Sequence, residues 1–129
     1  MPSALKEVSN CVVYEKSHLS NIEFALRECS FPPDAIIFGL GWFSSKIFNE
    51  IVGLRRLGVP ILCQLFKHEL DLNRKLNFCK VNRVKAILSS VPKIDFYQEE
   101  TGISAYLLKH AADPRIFRRR NLKKKFDFF

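Results

Sequence analysis

His68 and Glu69 are the neighbouring residues whose types best suit proton transfer, because imidazole titrates near working pH and a carboxylate can orient it. They are adjacent at the start of a helical stretch, where neighbours do not face each other, so they form no dyad on their own. Glu69 and Asp71 equally suit a helix N-terminus, where the macrodipole favours negative charge. A second constellation is Gly39-Leu40-Gly41-Trp42-Phe43 followed by Ser44-Ser45. Its glycines let backbone approach a ligand closely, and the serines place helix amides near an anion. The third glycine of a dinucleotide fingerprint is missing, as is the acidic residue one strand further on, and no Gly-Lys-Ser/Thr phosphate loop occurs. These gaps argue against a nicotinamide site and exclude a nucleoside triphosphatase. Lys67, Ser89-Ser90, Lys109-His110 and Asp113 complete the polar candidates, with Asp113-Pro114 also a turn starter. His18 lies in a polar stretch before a helix.

The four cysteines, Cys11, Cys29, Cys63 and Cys79, are widely spaced in apolar contexts. Metal ligation needs clustered thiolates or Cys/His pairs, so no metal site is expected. Cys63 sits within an apolar strand with no cation nearby and is unsuited to nucleophilic attack. Reduced, buried thiols point to the cytoplasm.

At 129 residues the chain is long enough for one domain. Its 12 phenylalanines against one Trp and three Tyr read as a Phe-rich core. The formal net charge of +8 is concentrated rather than spread. Residues 1–114 carry 14 basic and 12 acidic side chains, whereas residues 115–125 carry seven basic and none acidic. The basic stretch reads as a solvated linker that also suits non-specific contact with an anionic surface. No apolar run approaches the roughly 20 residues of a membrane span, and Met1–Asn10 shows no signal peptide.

Positioning these residues requires alternating strands and helices. Cys11–Tyr14 reads as a strand, and Ser20-Asn21-Ile22-Glu23 as a capping box opening a helix to about Cys29. Ala35–Phe38 is a strand with apolar residues at consecutive positions, as burial on both faces demands. From Ser44 or Ser45, the spacing of Ile47, Phe48, Ile51, Leu54 and Leu57 predicts a helix closed by Gly58. Val59–Leu65 is a strand, Glu69–Asn82 a helix buried at Leu72, Leu76 and Cys79, and Val84–Leu88 a strand. Pro92–Glu100 forms a helix with Ile94 and Tyr97 inward, Gly102 closes it, and Ile103–Leu108 is the last strand. Five strands joined by helical crossovers predict a Rossmann-like, doubly wound parallel sheet in three layers, α/β/α. The domain spans residues 1–114, and 115–129 form a basic linker and the start of a second domain. Ligands of such sheets bind beyond the carboxyl ends of the strands, which selects the loops named above.

The succession Pro33-Asp34-Ala35-Ile36-Ile37-Phe38, Leu57-Gly58-Val59-Pro60-Ile61, Val84–Leu88 and Ala112-Asp113-Pro114-Arg115-Ile116-Phe117 resembles the N-terminal domain of GT-B glycosyltransferases, most closely the spore-maturation-type group. Lys125-Phe126-Asp127-Phe128-Phe129 resembles the opening strand of that family's second domain. The family's glycine-rich loop after its first strand has no counterpart after Val13-Tyr14. The resemblance implies two facing Rossmann-like domains, with the nucleotide-sugar donor held mostly by the C-terminal one. No cofactor is expected in this chain itself, and activity would need the C-terminal domain or a partner subunit. The sugar acceptor would meet Gly39, Gly41, Trp42, Phe43, Lys67, His68, Glu69, His110 and Asp113, with His68 as candidate base. The alternative is a non-catalytic Rossmann-like module that binds a protein or polyanion through Arg118, Arg119, Arg120, Lys123, Lys124 and Lys125. A receiver-like regulator is disfavoured, since Tyr14-Glu15-Lys16 and Gln64-Leu65-Phe66 lack its acidic cluster and phosphorylatable aspartate.

Overall fold

The computed structural model describes residues 9–14, 19–40, 47–67 and 69–109. Four strands form one parallel sheet: β2 (Ile36–Leu40), β4 (Ile61–Leu65), β5 (Ala86–Ser89) and β6 (Ser104–Leu107), neighbouring in that order. A second, two-stranded parallel piece pairs β1 (Leu19–Asn21) with β3 (Ile47–Val52). Helices α1 (Glu23–Leu26), α2 (Leu72–Val81) and α3 (Ile94–Thr101) and a 3-10 turn (Leu54–Leu57) complete the described elements. The protein is a Rossmann-like α/β fold, with four strands in its main sheet rather than about five.

The sheet follows from its sequence. Ile36, Leu62, Cys63 and Ile87 belong to short uninterrupted apolar runs, which suit strands buried in a parallel sheet. Register is continuous from Ile36↔Ile61 to Leu40↔Leu65, from Leu62↔Ala86 to Leu65↔Ser89, and from Ala86↔Ser104 to Ser89↔Leu107. This places Leu40, Ile61, Cys63, Leu65, Ile87 and Ala105 on one face, all buried. α2 and α3 cover that face: Phe78 meets Phe38 edge-on at a ring separation of 5.3 Å, and the Tyr97 hydroxyl lies 3.4 Å from Ser89 Oγ. The two helices also pack against each other. The other face carries Ile37, Gly39, Leu62, Gln64, Ala86, Leu88, Ser104 and Tyr106, of which Ile37, Gly39, Ser104 and Tyr106 are exposed.

The expected caps of the later elements are present. Gly58 (φ 68°) ends the 3-10 turn, and Gly102 (φ 70°) ends α3 with its N–H donating to Gln98 O at 2.8 Å. Leu76, Cys79 and Tyr97 are buried, as the helical spacing predicts.

Three expectations are corrected in the first half of the chain. Cys11–Tyr14 has no regular secondary structure. Ser20 lies in β1 instead of capping a helix, and the Glu23 N–H donates to Asn21 Oδ1 at 3.0 Å, so α1 is a single turn. The helix expected from Ser44 or Ser45 to Leu57 is replaced by β3 and the 3-10 turn over its described part. Ile47, Ile51 and Val52 are β-branched and lose rotamer freedom in a helix. Gly53 adopts φ 82° directly after them, which ends the strand and separates it from the turn. The apolar spacing there fits either period over so short a run, and tertiary attachment decides between them. The Ile51 N–H donates to the buried Asn82 Oδ1 at 3.0 Å, and the Ile22 N–H to Val52 O at 3.0 Å.

Candidate functional site

The carboxyl ends of the parallel strands bring the loop after β4 beside the end of β2. The Phe66 N–H donates to Leu40 O at 2.9 Å, so pairing continues one residue past β4. A Cβ built on Gly39 would meet the Phe66 ring edge at 3.4 Å, an ordinary van der Waals separation, so packing alone does not require glycine there. Lys67 and Glu69 follow on the loop and are exposed.

The loop's shape comes from beneath. Lys75, on the first turns of α2, is fully buried, and its ammonium donates to Phe66 O at 2.7 Å and Lys67 O at 2.8 Å. Charge-assisted bonds of this length are about twice as strong as neutral ones. Lys67 O also accepts the Leu70 N–H at 3.0 Å, and Asp71 O accepts the Lys75 N–H at 3.0 Å. Lys67 (φ 49°) and Asp71 (φ 51°) take left-handed backbone that non-glycine residues adopt only when held. Burial lowers the Lys75 pKa from its ordinary 10.5; Asp71 and then Glu69 oppose that shift, and Lys67 adds to it.

Ser89, at the end of β5, is structural. It is buried, its hydroxyl oxygen accepts the Val91 N–H at 3.1 Å, and its carbonyl accepts the Leu108 N–H at 2.8 Å. Ser90 beside it is half-buried, and Lys109 after β6 is exposed. Cys63 is buried in β4, and its thiol pKa is raised well above the usual value, first by burial and then by the neighbouring Cys79 thiol. It is therefore a poor nucleophile. Among the described residues, no three His, Cys, Asp or Glu side chains cluster as a metal site.

Of the expected acceptor wall, the structure thus sets Gly39 against the Phe66 ring and leaves Lys67 and Glu69 exposed on the loop that follows. Gly41, Trp42, Phe43, His68, His110, Asp113, Arg118, Arg119, Arg120, Lys123, Lys124 and Lys125 lie outside the described residues, as does His18. Two residues that the sequence reading passed over matter here. Lys75 lies three residues after Leu72 and four before Cys79, inside the buried stripe of α2, and that spacing was its only signal. Gln64 is buried on the less covered sheet face, and among the described residues its Oε1 has no hydrogen-bond partner. An unsatisfied buried acceptor costs about 1–3 kcal/mol. Away from these loops, at the amino end of β2, an open apolar cleft of about 360 Å³ is lined by residues including Leu26, Cys29, Phe31 and Pro33.

No protein-family model, curated protein or solved structure matches the chain. Among the described residues, no helix is long and apolar enough to cross a membrane.

Proposed function

We propose that the chain is the acceptor-side domain of a GT-B-type glycosyltransferase, acting with a second domain that binds the nucleotide-sugar donor. The observation that carries this reading is the Lys75-held loop, which presents Lys67 and Glu69 at the carboxyl edge of a Rossmann-like parallel sheet. Ligands of such sheets bind at that edge. The exposed ammonium of Lys67 and carboxylate of Glu69 can donate to and accept from sugar hydroxyls. Catalysis by the paired domains would consist of holding an acceptor hydroxyl against the donor's anomeric carbon, with His68 as the proposed base. Four unpaired cysteines agree with a cytoplasmic location.

The test is an amide NMR titration of the chain with methyl glycosides of glucose, galactose and mannose. Shifts centred on Gly39, Phe66, Lys67 and Glu69 are expected with at least one sugar. Absence of shifts with all three, or shifts centred elsewhere, overturns the reading. UDP-glucose should leave these amides unmoved, because the donor belongs to the other domain; tight binding by this chain alone would refute the acceptor-side assignment.

The seven basic residues within 115–125 favour a second reading, a polyanion-binding module. Heparin retention that falls steeply with salt, and disappears when Arg118–Arg120 and Lys123–Lys125 are neutralised, would support it over the first.

A further inference from the structure

A lysine ammonium at zero exposure needs a physical reason. Desolvating it is costly, and its long side chain gives up about 2 kcal/mol of rotamer freedom. A methionine of similar length would fill the same space without the desolvation cost. Among the described residues Lys75 Nζ meets two carbonyl oxygens and no carboxylate: Phe66 O and Lys67 O turn inward onto it at 2.7 and 2.8 Å. Asp71 and Glu69 lie within electrostatic reach and favour the ammonium, Lys67 opposes it, and strands β2, β4 and β5 bring no charge. The same stretch of chain holds two left-handed non-glycine residues, Lys67 and Asp71. Such conformations each cost about 1–3 kcal/mol and persist only where the surroundings over-determine them. Lys67 O joins the two halves of the loop, since it accepts both from Nζ and from the Leu70 N–H.

We infer that Lys75 is the positioning residue of the ligand wall: its buried ammonium fixes the backbone at Phe66 and Lys67, and with it how Lys67 and Glu69 meet a sugar, and losing that positive charge loosens this hold. The sugar in this inference rests on the proposed acceptor-side reading; the dependence of the loop on the charge does not. Lys75 touches no reacting atom and acts only through the carbonyls that it holds. Its neutral amine sheds the desolvation cost of the ammonium but holds the two carbonyls less firmly, so at alkaline pH the loop alone loosens while the fold as a whole loses no stability.

The experiment follows the Lys75 ¹³Cε resonance of the wild-type chain against pH, together with the backbone amides. The Lys67, Glu69 and Leu70 amides should move with the Lys75 midpoint, which should lie below the ordinary 10.5, while the Ile87 and Ala105 amides stay still. Loop amides that ignore the Lys75 titration overturn the inference. In Lys75→Met, the same loop amides should shift or broaden, and whichever methyl glycoside binds the wild type should bind about tenfold more weakly, the loss expected for one charge-assisted pair. A wild-type loop spectrum, or wild-type sugar affinity, in that variant is equally fatal. Should Lys75→Met fail to fold, the wild-type titration decides alone. Should no glycoside bind the wild type, the sugar reading falls, and the titration still settles the role of Lys75.

Discussion

The main sheet and the β1–β3 pair are both parallel, yet they hold together by different means. From β2 to β6 each strand keeps one register with its neighbour. Between β1 and β3 the register shifts: Leu19 pairs with Ile47 but Asn21 with Val52. Two strands alone are marginal in water, and this pair depends on bonds to its surroundings, chiefly Ile51 N–H to Asn82 Oδ1 at the end of α2. The main sheet thus takes its geometry from its own ladders and inward side chains. The smaller piece takes its geometry from what it is tied to.

Substitutions can separate the two. The largest effect is expected from Ile87→Ala, in the fully buried centre of β5, at about 2–5 kcal/mol. Chemical denaturation should show this as one cooperative loss; an effect below about 1 kcal/mol would mean that the sheet core is not the main source of stability. Asn82→Ala should cost about 1–3 kcal/mol, because it strands the Ile51 N–H without an acceptor. Hydrogen exchange should then quicken in β1 and β3 and hardly at all in β5 and β6. Uniform quickening would contradict the tied-on picture.

Two glycines sharpen the contrast at smaller scale. Gly53 (φ 82°) has Ile22 Cγ2 at 3.2 Å from a built Cβ, whereas Gly102 (φ 70°) has nothing within 4 Å. Both alanine variants carry the left-handed penalty of about 1–2 kcal/mol. Gly53→Ala should cost the more in thermal unfolding, because Ile22 must also yield; equal costs would mean that β1 gives way freely.

The smallest effect is the pH dependence of Lys75. Its folded pKa lies below its unfolded value, so the folded state binds fewer protons between the two. The protonated lysine therefore costs stability below the folded pKa, and that cost disappears as pH rises towards 10.5. Subtracting the stability-versus-pH curve of Lys75→Met from that of the wild type should leave a rise in this window, which a flat difference would disprove.

How much was legible follows the same division. The runs at Ile36–Phe38, Ile61–Leu65 and Ala86–Leu88 announced their strands because both faces of a parallel sheet take apolar side chains, and Gly58 and Gly102 announced two element ends. β3 was misread because Ile47, Phe48, Ile51 and Leu54 satisfy a helical spacing, and the strand is favoured by distant partners, the Ile51 N–H donating to Asn82 Oδ1 31 residues away and the Ile22 N–H to Val52 O. In the candidate site, Lys67 and Glu69 were visible as polar loop residues after a strand. Lys75 was not, because a lysine on a polar helix reads as solvated until its carbonyl partners are seen. The same blindness covered Gln64, whose missing partner is a property of the folded environment and not of its residue type.

The strict parallel order of the main sheet also bears on how the chain reaches its fold. No two neighbouring strands of a parallel sheet can zip from a tight turn, so each ladder waits for its whole connection to close. The connections span residues 41–60, 66–85 and 90–103, and the last is the shortest. It also contains α3, closed by Gly102 and pinned through Gln98 Oε1 to the Ala105 N–H at 3.1 Å. The β5–α3–β6 unit is therefore the expected folding nucleus, with β4 and then β2 added outward. Ala105→Gly should chiefly slow folding, while Ile61→Val in β4 should chiefly speed unfolding, and the reverse pattern would place the nucleus at the other end of the sheet.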